Sequence, residues 1–176
     1  DGIMNYDGFM EPVSWFLTGL EKHSDRSDMN LKGNSDAFFM MLFNALGKIP
    51  YKMALVSMIQ LSNHDHSRFL TRTNGVIGRI NTHKPEDAMA NVRLEVMRQA
   101  IMMQLTLPGA PTVYYGDEVG LCGFTDPDSR RTYPWGNENL ELLEYHRYMN
   151  KLHRVRKELR GGSLIKLISK EGVVGY

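Results

Sequence analysis

Short apolar runs that end in polar clusters alternate along this chain with stretches of helical spacing. The clearest run is Met58-Ile59-Gln60-Leu61-Ser62-Asn63-His64-Asp65. An apolar run bounded in this way predicts a buried strand, with an amide, an imidazole and a carboxylate at its C-terminal tip. Ala110 to Tyr115 repeats the plan and ends in Gly116-Asp117-Glu118, while Gly2-Ile3-Met4-Asn5-Tyr6 predicts a third strand of the same kind.

Helices are predicted between these runs. Over Glu11 to Glu21, Val13, Phe16, Leu17 and Leu20 share one face, and Pro12 stands in the tolerated first turn. Ala37 to Leu46 places Phe38, Met41, Leu42 and Ala45 together, with Ser35 or Asp36 as the cap and Gly47 as the stop. Pro50 to Ser57 reads as one further helical turn. Pro85-Glu86-Asp87 opens a helix reaching Leu107, with Val92, Val96, Gln99, Ala100 and Met103 in phase and Arg93 and Arg98 toward solvent. A last helix, Leu140 to Leu159, presents Leu143, Tyr145, Leu152 and Val155 and stops at Gly161-Gly162.

The intervening segments are polar. His23 to Asn34 reads as a solvated loop with little to order it, Asn74 to Lys84 as a second loop, and Gly120 to Asn137 as an irregular loop of the length that usually carries function. Ser163 to Ser169 alternates imperfectly and, with Val173-Val174, predicts an antiparallel pair opening a separate β unit. Alternation of strand and helix argues for parallel strands with helical crossovers, an α/β fold. In a barrel of that class the polar strand tips face one pocket.

Composition narrows the function classes. The 176 residues include 42% apolar side chains, enough for a sizeable core. With 21 basic against 20 acidic residues and no run of one sign, nothing predicts a nucleic acid or membrane partner, and a neutral substrate is easily accommodated. The single Cys122 excludes an internal disulfide and leaves cytoplasmic and secreted locations both open. His64, Asp65 and His66 could suggest metal ligands, yet alternate residues on a strand face opposite ways and no further His or Cys stands at ligand spacing. No metal or cofactor is expected. The chain opens directly on a predicted strand and stops within a predicted hairpin, so a piece of a longer protein is expected.

Three groups of residues, in order, carry a resemblance: Leu61-Ser62-Asn63-His64-Asp65 with Arg68-Phe69-Leu70; Gly109-Ala110-Pro111 through Tyr114-Tyr115-Gly116-Asp117-Glu118; and Asp126-Pro127-Asp128 with Arg130-Arg131 and Pro134-Trp135. Together they resemble the α-amylase family of glycoside hydrolases, most of all its neopullulanase, cyclomaltodextrinase and maltogenic amylase branch. The resemblance implies part of a (β/α)8 TIM barrel, strands six to eight with their helices over residues 1–160, and the beginning of a C-terminal β-sandwich over 161–176. It further implies a retaining hydrolase of α-1,4 bonds, with α-1,6 bonds also open, in maltodextrin, cyclodextrin or pullulan.

By the same resemblance Asp65 is the transition-state stabiliser, His64 binds the same sugar, and Asp126 with Arg130 grips the next sugar on the non-reducing side. Asn63 would brace the motif. The family's nucleophilic aspartate and acid/base glutamate lie on strands four and five, before residue 1, so this piece alone is expected to be inactive. Where the family commonly has Thr after Asn-His-Asp, this chain has His66.

Other readings stand beside these. His64 and Asp65 could be a capping pair, Asp117 and Glu118 are read as structural, and Asp126, Asp128, Arg130 and Arg131 could be a surface ion-pair cluster. Tyr114, Tyr115, Tyr133 and Trp135 could stack on sugars or pack in the core, the latter being favoured for Tyr114. The twelve Met residues read as adaptable packing. The alternative function is a non-catalytic amylase-like binding or assembly domain. Three barrel strands would leave open edges, so self-association or partial disorder, the latter in His23 to Asn34 and near the C-terminus, is expected.

Overall fold

The computed structural model describes residues 3–176. Gly2 of the expected first strand lies outside them. The three predicted strands do meet. Met4 forms a parallel bridge to Met58, and β1, Met58–Ile59, pairs in parallel with β2, Ala110–Pro111, in the register Met58 opposite Ala110 and Ile59 opposite Pro111.

Each strand is shorter than its apolar run, because side chains take over the backbone groups that a longer ladder would use. Asn5 Oδ1 accepts the Gly8 N–H at 2.9 Å, so Tyr6 already belongs to a π-helical turn, Tyr6–Met10. Beyond Ile59, the Leu61 carbonyl is taken by the Arg72 guanidinium, and Asn63 Oδ1 accepts the N–H of Asp65 at 2.9 Å and of His66 at 3.0 Å. Beyond Pro111, Gln104 Nε2 donates to Thr112 O at 2.9 Å and to Ile59 O at 3.1 Å, stapling the two strand ends. Gly109, at φ +148°, brings the backbone so close that an added Cβ would stand 2.5 Å from Ile59 Cγ2.

Helices cover the strands. α1, Glu11–Thr18, buries Val13, Phe16 and Leu17 as expected but ends early, at the left-handed Gly19. α2, Ser35–Leu46, is capped by neither expected residue: Asn34 Oδ1 accepts the Ala37 N–H at 3.0 Å. α3, Tyr51–Ala54, is the predicted turn before β1. The short α4, Phe69–Arg72, follows the polar tip. The helix expected from Glu86 to Leu107 is broken: a 3-10 turn at Pro85–Ala88 and the left-handed Asn91 precede α5, Leu94–Thr106.

The last helix also divides, into α6, Leu140–Val155, and α7, Lys157–Gly161, and its inner face is Leu142, His146 and Met149 while Val155 is exposed. Phe9, Phe16, Phe38, Ile59, Phe69, Met97 and Ile101 join the elements in one core. Each such side chain contributes about 1.5 to 3 kcal/mol of apolar transfer.

His23 to Asn34 is solvent-facing over Asp25 to Asn30 as expected, but it is ordered by contacts that the sequence does not predict. Leu20 and Ser27 form an antiparallel bridge, Gly78 N–H donates to Ser24 O at 2.8 Å, and the buried Ser24 hydroxyl meets Ser67 Oγ at 2.8 Å. At the other end β3, Ile168–Lys170, pairs antiparallel with β4, Val173–Gly175, so the hairpin begins five residues later than the alternation at Ser163 suggests. It docks through Gly172 N–H to Gly33 O at 2.7 Å and a Tyr176–Thr106 hydroxyl contact at 2.7 Å. Among the described residues no helix is long and apolar enough to cross a membrane.

Candidate functional site

The tip beyond β1 turns back on itself because Asn63 supplies the acceptor for two successive backbone N–H groups. Its own Nδ2 donates to the Tyr6 hydroxyl at 3.1 Å. Asn63 is therefore a buried brace. The turn projects His64 and Asp65 outward, with side chains 52% and 58% exposed and His64 Nε2 3.3 Å from Asp65 Oδ1.

The long loop beyond β2 brings the other predicted pair. Arg130 Nε bonds Asp126 Oδ1, and both side chains are half exposed. The Asp126 carboxylate holds the Arg130 guanidinium above its ordinary value, and Asp65 is near enough to add to the effect. Two contacts seat this loop on the tip: Ser129 Oγ donates to His64 O at 2.8 Å, and Arg68 Nε donates to Ser129 O at 3.0 Å. His64, Asp65, Asp126 and Arg130 thus occupy one solvent-facing cluster.

Beneath it lies a polar frame whose importance the sequence did not reveal. Arg68 is fully buried; its Nη1 donates to Tyr115 O at 2.8 Å and to Asp117 Oδ1 at 2.9 Å, and its guanidinium lies 4.4 Å from the Tyr114 ring centroid. Tyr114 is half-buried over this arginine rather than in the core favoured for it. Burial pushes the Asp117 carboxyl up to about 6, against the pull of Arg68. Arg72, equally buried, donates Nη1 to Ser14 Oγ at 2.8 Å, and burial lowers its guanidinium to about 10. The available signal was the spacing: two arginines four apart around Phe69-Leu70 put charge on one side of an apolar turn, where it must be paired. Gln104, a lone amide between Met103 and Leu105, was the corresponding signal for the strand staple.

His66, the departure from the family pattern, points inward and is 3% exposed. Its ring meets His23 edge-on at 4.5 Å and Tyr6 at 5.0 Å. Burial first, then the charges of His23, Arg72, Lys22 and His64, lower its imidazole to about 3, so it is neutral. His64 and His66 therefore diverge, one to solvent and one to the interior. Glu21, His23 and Asp25 place ligand-type atoms within 4.8 Å of one another, but these groups are already matched. Glu21 accepts the Asp25 N–H at 2.8 Å and lies 3.1 Å from His23 Nδ1, and Asp25 pairs with Arg79. Cys122 is buried, and its thiol is pushed up to about 11.

The arrangement suits a neutral polyol. Carboxylates accept from hydroxyls, a guanidinium donates in a fixed fork, and the paired charges cancel.

Known proteins are similar to this chain over most of its length. The family described as alpha amylase, catalytic domain, matches residues 16–161. Neopullulanase 2 of Thermoactinomyces vulgaris is 33% identical over 92% of this chain and 23% of its own length. An amylopullulanase of Thermoanaerobacterium thermosulfurigenes is 29% identical over 98% of this chain and 9% of its own length. The debranching enzyme of Nostoc punctiforme superposes with a TM-score of 0.77 at 27% identity, over 98% of this chain and 33% of that one. The chain spans a quarter or less of the curated relatives it matches. With the tip, the loop and the frame between them in place, the chain belongs to the alpha-amylase catalytic-domain family.

Proposed function

We propose that this chain forms the sugar-gripping part of a retaining α-glucan hydrolase, as strands six to eight of its barrel and the start of the following β domain. The observation that carries the reading is the seating of the long loop on the tip through Ser129, which gathers Asp65, His64, Asp126 and Arg130 on one face. Asp65 accepts hydroxyls of the sugar beside the scissile bond and favours its distorted, cationic transition state, with His64 on the same sugar. Asp126 and Arg130 orient the next sugar. The relatives' names support α-1,4-linked glucans, with pullulan-type α-1,6 linkages in the same class.

Retention of configuration needs a nucleophile and an acid about 5 to 5.5 Å apart. The carboxyl that burial tunes into an acid's range, Asp117, is 4% exposed and bound to Arg68, so it cannot reach a leaving oxygen. The nucleophile and acid are accordingly assigned to other parts of the enzyme, and the 176-residue chain is inactive alone. Calorimetric titration with a maltooligosaccharide tests the grip: binding weakens in Asp126→Ala. Hydrolysis of maltodextrin by the isolated chain, abolished in Asp65→Ala, would overturn the division of labour. A folded chain that binds no oligosaccharide would remove the proposed grip.

A further inference from the structure

Trp135 is the most exposed large apolar side chain among the described residues, at 79%. Its backbone is nevertheless well held: Trp135 N–H donates to Tyr133 O at 2.9 Å, and Asn137 N–H to Pro134 O at 2.8 Å. Its ring lies 4.4 Å from that of Tyr133 at an angle of 45°. Partial desolvation, and then the carboxylates of Glu118 and Glu138, raise the Tyr133 hydroxyl above its ordinary value. If packing alone decided this turn, the indole would be covered, since its burial is worth more than that of most side chains.

We propose that Trp135, with Tyr133 beside it, is a second contact for the glucan chain, an aromatic platform outside the Asp65, Asp126 and Arg130 cluster. The inference rests on the sugar-gripping reading above. Three observations single out a neutral glucan as the occupant. The platform and the Asp126–Arg130 pair stand on one continuous loop, 120–137. Between them runs a line of side chains: Tyr114 over the Arg68 guanidinium at 4.4 Å, Tyr115 against Tyr114 at 4.8 Å, and the Tyr115 hydroxyl donating to Arg131 O at 2.7 Å. The charges that bear on Tyr133 are mostly acidic, Glu118 and Glu138 against Arg147, which disfavours an anionic ligand. A sugar ring has what such a surface matches, an apolar C–H face for the aromatic ring and a rim of hydroxyls for the carboxylates.

The chain has two tryptophans, Trp15 on α1 and Trp135, so a nitrogen-15-labelled sample shows two indole N–H signals. Titration with maltoheptaose should move the Trp135 signal and leave that of Trp15 in place. Trp135→Ala should weaken maltoheptaose binding about fivefold, with the unchanged Trp15 signal certifying the fold. Maltoheptaose that binds in an Asp126-dependent manner while the Trp135 signal stays still would overturn the platform and leave the sugar-gripping reading intact. Absence of any oligosaccharide binding by the folded wild-type chain would overturn both.

Discussion

The rim and the frame beneath it are built from the same residue types and behave in opposite ways. At the rim, His64, Asp65, Asp126 and Arg130 are about half exposed and pair only among themselves. In the frame, Arg68, Arg72 and Asp117 are buried, and their guanidinium and carboxylate atoms are bound to Ser14, Leu61, Tyr115 and Ser129 as well as to each other. A buried charge is tolerated only where it is paired and hydrogen-bonded, and although Arg68 Nη2 and Arg72 Nε keep no partner among the described residues, the remaining bonds hold both guanidiniums in place. An exposed pair is cheap to break and so is free to exchange its partner for a ligand. Position relative to solvent, more than residue identity, separates the rim from its mount.

The sharpest way to break that contrast is Arg68→Ala. It strands Asp117 and the carbonyls of Tyr115 and Ser129, and is expected to cost about 3 to 5 kcal/mol of stability in chemical denaturation. It should also weaken oligosaccharide binding without touching sugar, because the Asp126–Arg130 loop loses its seat. Arg68→Lys keeps the charge but not the fork, and should fall between Arg68→Ala and the wild type.

Acid probes the same frame. The imidazole of His66 is lowered to about 3 in the folded chain, against about 6.5 when unfolded. The unfolded chain therefore takes up the proton first, and stability falls as pH drops from about 6.5 toward 3, by up to about 1.4 kcal/mol per unit. Asp117, raised to about 6, works in the opposite sense below that value, since the folded chain binds its proton earlier. Subtracting the pH profile of His66→Gln from that of the wild type isolates the histidine. Identical profiles would show that His66 is not held neutral by the fold.

Gln104→Leu removes both strand staples and leaves the Thr112 carbonyl without its side-chain donor, while Ile59 O keeps the Thr112 N–H, a loss of about 1 to 3 kcal/mol measurable by thermal unfolding. Smallest of all, Arg130→Ala should leave the denaturation midpoint where it is while calorimetry records weaker sugar binding. A large stability loss there would make the rim part of the frame. Sedimentation tests a separate proposal, that open strand edges drive self-association: the exposed Met4 and Val113 beside the short strands should give concentration-dependent oligomers.

Much of the plan was legible in the chain. The apolar runs at Met58 and Ala110 located the two paired strands, the helical phase of Val13, Phe16 and Leu17 located a buried face, and the Asn-His-Asp and Asp126 to Arg130 groups named the rim. These are local signals, carried by periodicity and by polar residues clustered at the end of an apolar run. The strand lengths were not legible, because Asn5 and Asn63 turn the chain with local side-chain hydrogen bonds while Arg72 and Gln104 take strand carbonyls from other elements. The inner face of α6 was found only in part by periodicity: Tyr145 and Leu152 do pack against the core, but a buried His146 is invisible to a count of apolar residues and Val155 is exposed.

What the sequence by itself determined is the order of elements and the chemistry available at each strand tip. Only the tertiary structure decided which charges sink and which stay wet. That outcome depends on contacts across long separations, such as Arg68 with Asp117 and Ser129 with His64, and the desolvation of a group is a property of everything folded around it.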